Sequence, residues 1–125
     1  MRALAALSLL LIATVARAEL PSASDSAISQ ALASGKPAVI DLGARYCIPC
    51  KKMSPILESL AAEYRGRANI LFIDVNGNQA AAKRFRVQMI PTQIFFDARG
   101  KEVKRHMGFM DRADIVRELS VLGVR

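Results

Sequence analysis

The stretch Val39-Ile40-Asp41-Leu42-Gly43-Ala44-Arg45-Tyr46-Cys47-Ile48-Pro49-Cys50-Lys51 changes character halfway along. Ala38 to Leu42 is a short apolar run with β-branched Val39 and Ile40, which reads as a buried strand. Gly43 to Pro49 makes a connecting loop. From Cys50 to about Tyr64 the apolar residues Met53, Ile56, Leu57, Leu60, Ala61 and Tyr64 recur at helical spacing, and Gly66 lies just past the end. Pro55 falls inside this helix and should kink it. The two cysteines of the chain, Cys47 and Cys50, therefore sit at a strand-to-helix junction. Cysteines three apart at a helix start face each other across one turn and can form a disulfide with little movement. The helix N-terminus offers unpaired N–H groups and the positive end of the dipole, and both favour a thiolate. Cys47 is expected to be exposed and nucleophilic, and Cys50 to be the more buried, resolving thiol. Pro49 at the head of the helix removes an N–H that had no partner there. Asp41 stands in the apolar strand that feeds this loop. Burial would raise its pKa, and it can then take or give the proton of Cys50. The competing reading is a strand-edge aspartate that faces water.

Three other readings of the cysteine pair stay open. As a structural staple it closes too short a loop to stabilise much. Structural zinc wants four ligands, and His106 is the one histidine in the chain, which leaves a Cu(I) site on two thiolates. Inert core thiols fit poorly with a loop flanked by Arg45, Lys51 and Lys52.

Outward from the junction, Ala27, Ile28, Ala31 and Leu32 have helical spacing. Ser22, Ser24 and Asp25 are candidate caps, and Gly35-Lys36-Pro37 ends that helix. Ile70 to Val75 is a second strand, so the centre of the chain is a strand–helix–strand unit with parallel strands. Asn76 to Asn78 is a turn and Gln79 to Phe85 a weak Ala-rich helix. Gln93 to Phe96 and Val103 to Met107 are two further strands joined by a turn at Asp97 to Gly100. Asp111 caps a last helix that carries Ile115, Val116, Leu119 and Leu122 on one face. The expected architecture is one small α/β domain with a part-parallel, part-antiparallel sheet. Met53 and Met107 read as core filler, Met89 and Met110 as an apolar rim near Pro91, and His106 as an ordinary strand residue. The basic clusters Lys83, Arg84, Arg86 and Lys101, Lys104, Arg105 read as solvated faces.

The 125 residues are 52% hydrophobic and 23% charged, which fits one globular domain and excludes a multidomain enzyme or a disordered chain. Two cysteines exclude a framework of several disulfides. Residues 1–18 read as an address: Arg2 precedes an apolar run from Ala3 to Ala16, and Ala16-Arg17-Ala18 has the small-x-small form cut by a signal peptidase. Cleavage is expected after Ala18, which leaves 19–125 as the mature domain. The run is shorter than the roughly 20 residues that span a bilayer. An exported chain meets an oxidising compartment, in a bacterium the periplasm, where cysteine pairs are put to use. The formal charge of +7 then has no nucleic acid to meet, and none is expected as a partner.

The segment Val39 to Lys51 resembles the active-site segment of the thioredoxins. Ile90-Pro91-Thr92 resembles their cis-proline segment, Gly108 their glycine before the last helix, and Pro55 falls where they kink the active-site helix. The resemblance covers Ala38 to about Leu122. It implies the thioredoxin fold, a central mixed β-sheet with helices on both faces, and thiol–disulfide exchange by Cys47 and Cys50 with Asp41 moving a proton. It implies no cofactor and no metal. It also implies a cis Ile90–Pro91 bond opposite the cysteines, with the Ile90 backbone pairing with an extended substrate while Tyr46, Ile48 and Pro49 complete the binding surface. The chain departs from the family at several points. Tyr46 replaces the usual Trp, Ile48-Pro49 the usual Gly-Pro, and Gly43 a common bulky aromatic. Phe72 occupies the place of the lysine that pairs with the buried aspartate, which should raise the Asp41 pKa further.

The expected function is that of an exported, monomeric thiol–disulfide oxidoreductase that reduces disulfides in exported clients, apocytochromes c among the candidates. Its electrons would come from a membrane donor of the DsbD or CcdA type. Proline directly before the second cysteine is the pattern of the family's reducing members. Alternatives are an exported thiol oxidase or isomerase, or a non-enzymatic metal- or client-binding module on the same fold.

Overall fold

The computed structural model describes residues 19–125, so the expected signal segment, 1–18, lies outside the described residues. The elements run α1 (Asp25–Leu32), β1 (Ala38–Gly43), α2 (Ile48–Glu63), β2 (Asn69–Asp74), α3 (Gln79–Arg84), β3 (Thr92–Phe96), β4 (Glu102–Met107) and α4 (Arg112–Val121). The four strands form one sheet in the order β2-β1-β3-β4. The β1–β2 pair is parallel, while β1–β3 and β3–β4 are antiparallel. No helix among the described residues is long and apolar enough to cross a membrane.

Helix boundaries follow capping chemistry. Ser24, Asn78 and Asp111 accept the N–H groups of Ala27, Ala81 and Asp114, satisfying donors that the first helical turn leaves free. α2 starts at Ile48, two residues before the expected start at Cys50. Ile48 and Pro49 form its first positions, because the fixed φ and missing donor of proline suit a helix's opening turn. Pro55 is accommodated within the continuous helix, on its exposed side.

The sheet is covered on both faces. Alternation along the strands sends Val39 and Phe95 to one side, where Met53, Leu57 and Leu60 of α2 and Ile115 and Leu119 of α4 pack on them. It sends Ala38, Ile40, Leu42, Ile94 and Phe96 to the other side, against Ile28 of α1 and Ala81 of α3. The central strands β1 and β3 are buried at every position and are mostly apolar, with Asp41, Thr92 and Gln93 as the buried polar exceptions; β4 is an edge and is mostly exposed. Met107 lies on that edge and is exposed, so it is not core filler. Met110, read from sequence as part of a rim, is instead buried, with its N–H directed at the sulfur of Met53. The segment before α1 runs along β2: Ala23 N–H donates to the Phe72 carbonyl at 2.7 Å, and Ser22 bridges to Phe72.

The β3–β4 turn is pinned by Asp97, whose Oδ1 accepts from the N–H groups of Arg99 and Lys101. Gly100 completes it at φ +76°, and a Cβ there would collide with the Leu32 carbonyl oxygen at the end of α1. Gly100→Ala therefore forces a left-handed backbone on alanine and also pushes the hairpin off α1. A loss of about 2 kcal/mol or more is expected in urea unfolding. An unchanged midpoint would show that the turn does not lean on α1.

Candidate active site

Cys47 and Cys50 are joined in a disulfide, with Cα atoms 5.1 Å apart. Cys47 is the N-cap of α2, and its sulfur accepts the Cys50 N–H at 3.4 Å. A sixteen-residue helix thus presents its N-terminal donors and dipole to that sulfur. Cys47 is half-buried and Cys50 is buried, which keeps the expected ranking of the two with Cys47 less open than the sequence suggested. Around them Tyr46 and Ile48 are 68% and 70% exposed, and Pro49, Lys51 and Lys52 are exposed. This is an apolar, basic surface with no acidic side chain in the first helical turn.

β1 and β3 bring the remaining residues to the same end of the sheet. Leu42 pairs with Thr92, so Pro91 stands beside Gly43, where the cysteine loop departs. The Ile90–Pro91 peptide is cis, and its surroundings are tied by Gly108 N–H to the Pro91 carbonyl at 2.7 Å and by Thr92 Oγ1 to the Met89 carbonyl. Pro91 is buried and Ile90 is half-buried. Met89 and Phe109 are exposed.

Asp41 is fully buried, so the reading of it as a water-facing edge residue fails. It shares the α2 face of the sheet with its register partners, Phe72 on β2 and Gln93 on β3. Gln93 Nε2 donates to Asp41 Oδ1 at 2.8 Å. Burial pushes the Asp41 carboxyl from 3.8 up to about 6, with the Gln93 bond pulling the other way. Phe72 holds the place opposite Asp41, as expected, and the Arg45 guanidinium lies over its ring at 4.3 Å. Arg45 also pairs with Glu19 at 3.0 Å.

Gln93 and Arg45 went unassigned in the sequence. The signal for Gln93 was present: a primary amide in a strand buried at every position must find a partner, and the partner strand offers Asp41. Arg45 carried no comparable signal, since its contacts come from a segment 26 residues earlier. No cluster of three or more metal-ligating side chains occurs among the described residues.

A two-cysteine disulfide that caps a helix, over a carboxyl buried in the adjoining strand, defines a thiol–disulfide oxidoreductase. The thioredoxin family model matches residues 19–121, and the chain belongs to the thioredoxin family. It is 41% identical over 98 residues to the thioredoxin of Mycolicibacterium smegmatis, covering 77% of this chain and 87% of that protein. It is 39% identical over 95 residues to the bifunctional thioredoxin reductase/thioredoxin of Mycobacterium leprae (strain TN), covering 76% of this chain. That match spans 20% of the larger protein. Among solved structures, chloroplastic thioredoxin z superposes with a TM-score of 0.72 at 28% identity, covering 85% of this chain and 96% of that one. The fold is the thioredoxin fold, and the chemistry is dithiol–disulfide exchange.

Burial of Asp41 has a measurable consequence. Between pH 3.8 and about 6 the folded chain keeps a proton that the unfolded chain releases. Stability from this group is therefore complete below 3.8, falls as pH rises to about 6, and is flat above. The loss over that window is about 3 kcal/mol. Asp41→Asn should be more stable than wild type by about 2–3 kcal/mol at neutral pH, with the gap closing below about pH 4. Urea unfolding across pH measures it, and a gap that does not change with pH contradicts the burial account.

Proposed function

We propose that this oxidoreductase is an exported, monomeric reductase of protein disulfides, with Cys47 as nucleophile, Cys50 as resolving thiol and Asp41 as the proton acceptor for Cys50. The observation that carries the reading is the Cys47–Cys50 disulfide set at the N-cap of α2 over the buried Asp41 carboxyl. Export rests on the signal-like pattern of 1–18. The reducing direction rests on Pro49 before Cys50 and on the short α3 that separates β2 from Pro91 where oxidising relatives carry a helical insertion.

In the dithiol form the Cys47 thiolate is stabilised by the helix N-terminus and attacks one sulfur of a client disulfide. A Cys47–client disulfide forms and the other client sulfur leaves as a thiolate. Cys50 gives its proton to Asp41, and the resulting thiolate attacks Cys47 Sγ. The Cys47–Cys50 disulfide forms and the second client sulfur leaves. Two electrons have passed from the enzyme to the client, and the released thiolates take protons from solvent. Exposed Tyr46 and Ile48, with Pro49, Met89 and Phe109, supply apolar contact for an extended client. The Ile90 backbone at the cis peptide adds a strand-like pairing of modest sequence selectivity. Oxidised exported proteins, apocytochromes c among them, are the client class. A membrane donor of the DsbD or CcdA type returns the electrons, since no cytosolic reductant reaches an exported dithiol.

Trapping tests the exchange. Cys50→Ala should accumulate mixed disulfides through Cys47 with oxidised exported proteins, and Cys47→Ser should accumulate none. Absence of adducts in Cys50→Ala, with the protein folded and present in the exported fraction, would overturn the mechanism.

A further inference from the structure

Gln93 is fully buried on β3 among apolar residues, and its Oε1 has no hydrogen-bonding partner among the described residues. A leucine of similar volume would remove the stranded Oε1 but would leave Asp41 Oδ1 without its donor, so the amide is accounted for by the carboxyl it holds and not by packing. What the amide does is local. Its Nε2 occupies Asp41 Oδ1 at 2.8 Å and leaves Oδ2 without a partner. Oδ2 and the Cys50 sulfur face one gap. A Cβ built on Gly43 would stand 3.4 Å from Asp41 Oδ2 and 3.3 Å from Cys50 Sγ. Glycine at 43 keeps that gap clear.

We infer that Gln93 is a positioning residue of the exchange reaction, holding Asp41 by Oδ1 so that Oδ2 serves Cys50 across the space kept open by Gly43. The inference rests on the reading of Asp41 as the proton acceptor of the resolving step. In that step the Cys50 S–H bond breaks, the proton moves to Oδ2, and the Cys50 sulfur forms its bond to Cys47 as the Cys47–client bond breaks. Oδ1 accepts from Nε2 whether Asp41 is ionised or carries the proton on Oδ2, so the carboxyl is held through the whole cycle. A lysine in this role would favour the ionised form and oppose uptake of the proton. The surroundings leave this role to Gln93. From α2 the titratable group facing Asp41 is Cys50, from β2 the neighbour is Phe72, and from β3 it is Gln93. Arg45 is engaged with Glu19 over the Phe72 ring and Lys51 is exposed. Neither is a source of the Asp41 shift, whose causes are burial and the Gln93 bond.

The test compares the wild-type chain with Gln93→Leu, Gly43→Ala and Asp41→Asn. Insulin disulfides are the probe, reduction is followed across pH, and the Asp41 carboxyl is titrated by carbon NMR in the dithiol form. Gln93→Leu should move the Asp41 titration and the acid limb of the rate profile upward together. It should slow turnover at neutral pH about three- to tenfold, with KM for insulin unchanged. Added to Asp41→Asn it should cost nothing more. Gly43→Ala, which leaves Gln93 in place, should slow turnover with KM unchanged, and it keeps the inference testable if Gln93→Leu does not fold. If Asp41→Asn slows exchange while Gln93→Leu slows it equally at every pH or not at all, the positioning role is wrong and the Asp41 reading stands. If Asp41→Asn leaves exchange unchanged across pH, both fall.

Discussion

The constraint on which this structure turns is the burial of a carboxyl in the central strand β1, beneath the start of α2. Ionising Asp41 there is costly because the surrounding sheet and helix exclude water, and among the described residues Gln93 is the one hydrogen-bond donor to its side chain. The cost displaces the titration of Asp41 into the range where a carboxyl can exchange a proton with a thiol. The strand that sets the burial also delivers the cysteine loop, since β1 ends at Gly43 and α2 begins five residues later at Ile48. The buried carboxyl and the sulfur pair therefore stand on one continuous strand–loop–helix unit.

The rest of the fold serves that unit. α2 can place Cys47 at its cap because Met53, Leu57 and Leu60 anchor the helix against the sheet. β3 runs antiparallel to β1, and this brings Pro91 to the cysteine end and Gln93 opposite Asp41. β4 shields the far side of β3 but remains an edge, with Lys104 held to Glu118 of α4 and Arg105 to Glu102. Of the basic clusters noted in the sequence, Lys104 and Arg105 are thus paired on the surface, while Lys83, Arg84 and Arg86 are exposed. The N-terminal segment closes the β2 side, where Arg45 joins Glu19 to the ring of Phe72.

Much of this was legible in the residues, and the failures have physical causes. The strands β1 and β3 declare themselves because burial on both faces leaves mostly apolar runs, interrupted only at Asp41 in β1 and at Thr92 and Gln93 in β3, and the caps Ser24 and Asp111 because small polar side chains are needed there. The start of α2 is hidden in the sequence because Cys47 is an unusual cap, and only the backbone reveals that its sulfur takes the Cys50 N–H. Methionine suits core and surface alike, so its type does not separate Met107, exposed by the edge position of β4, from Met110, which lies past that strand and is buried against Met53. The cis geometry at Pro91 came from family resemblance, since nothing local in Ile90-Pro91-Thr92 dictates it. The pairing of Asp41 with Gln93 joins residues 52 apart, and it depends on a strand register that periodicity does not specify.

The reduction potential of the Cys47–Cys50 couple tests the account at its centre, because structure and direction of electron flow meet in that one number. The chain would be equilibrated with thiol/disulfide buffers at neutral pH and its thiol occupancy read by alkylation. A reductase should give a value near that of thioredoxin, about −270 mV, with each ~30 mV worth about 1.4 kcal/mol for a two-electron couple. A value near about −120 mV, the level of a strong disulfide donor, would mean that the helix terminus stabilises the Cys47 thiolate enough to reverse the flow. The protein would then donate disulfides to its clients, and the assignment as a reductase would be wrong.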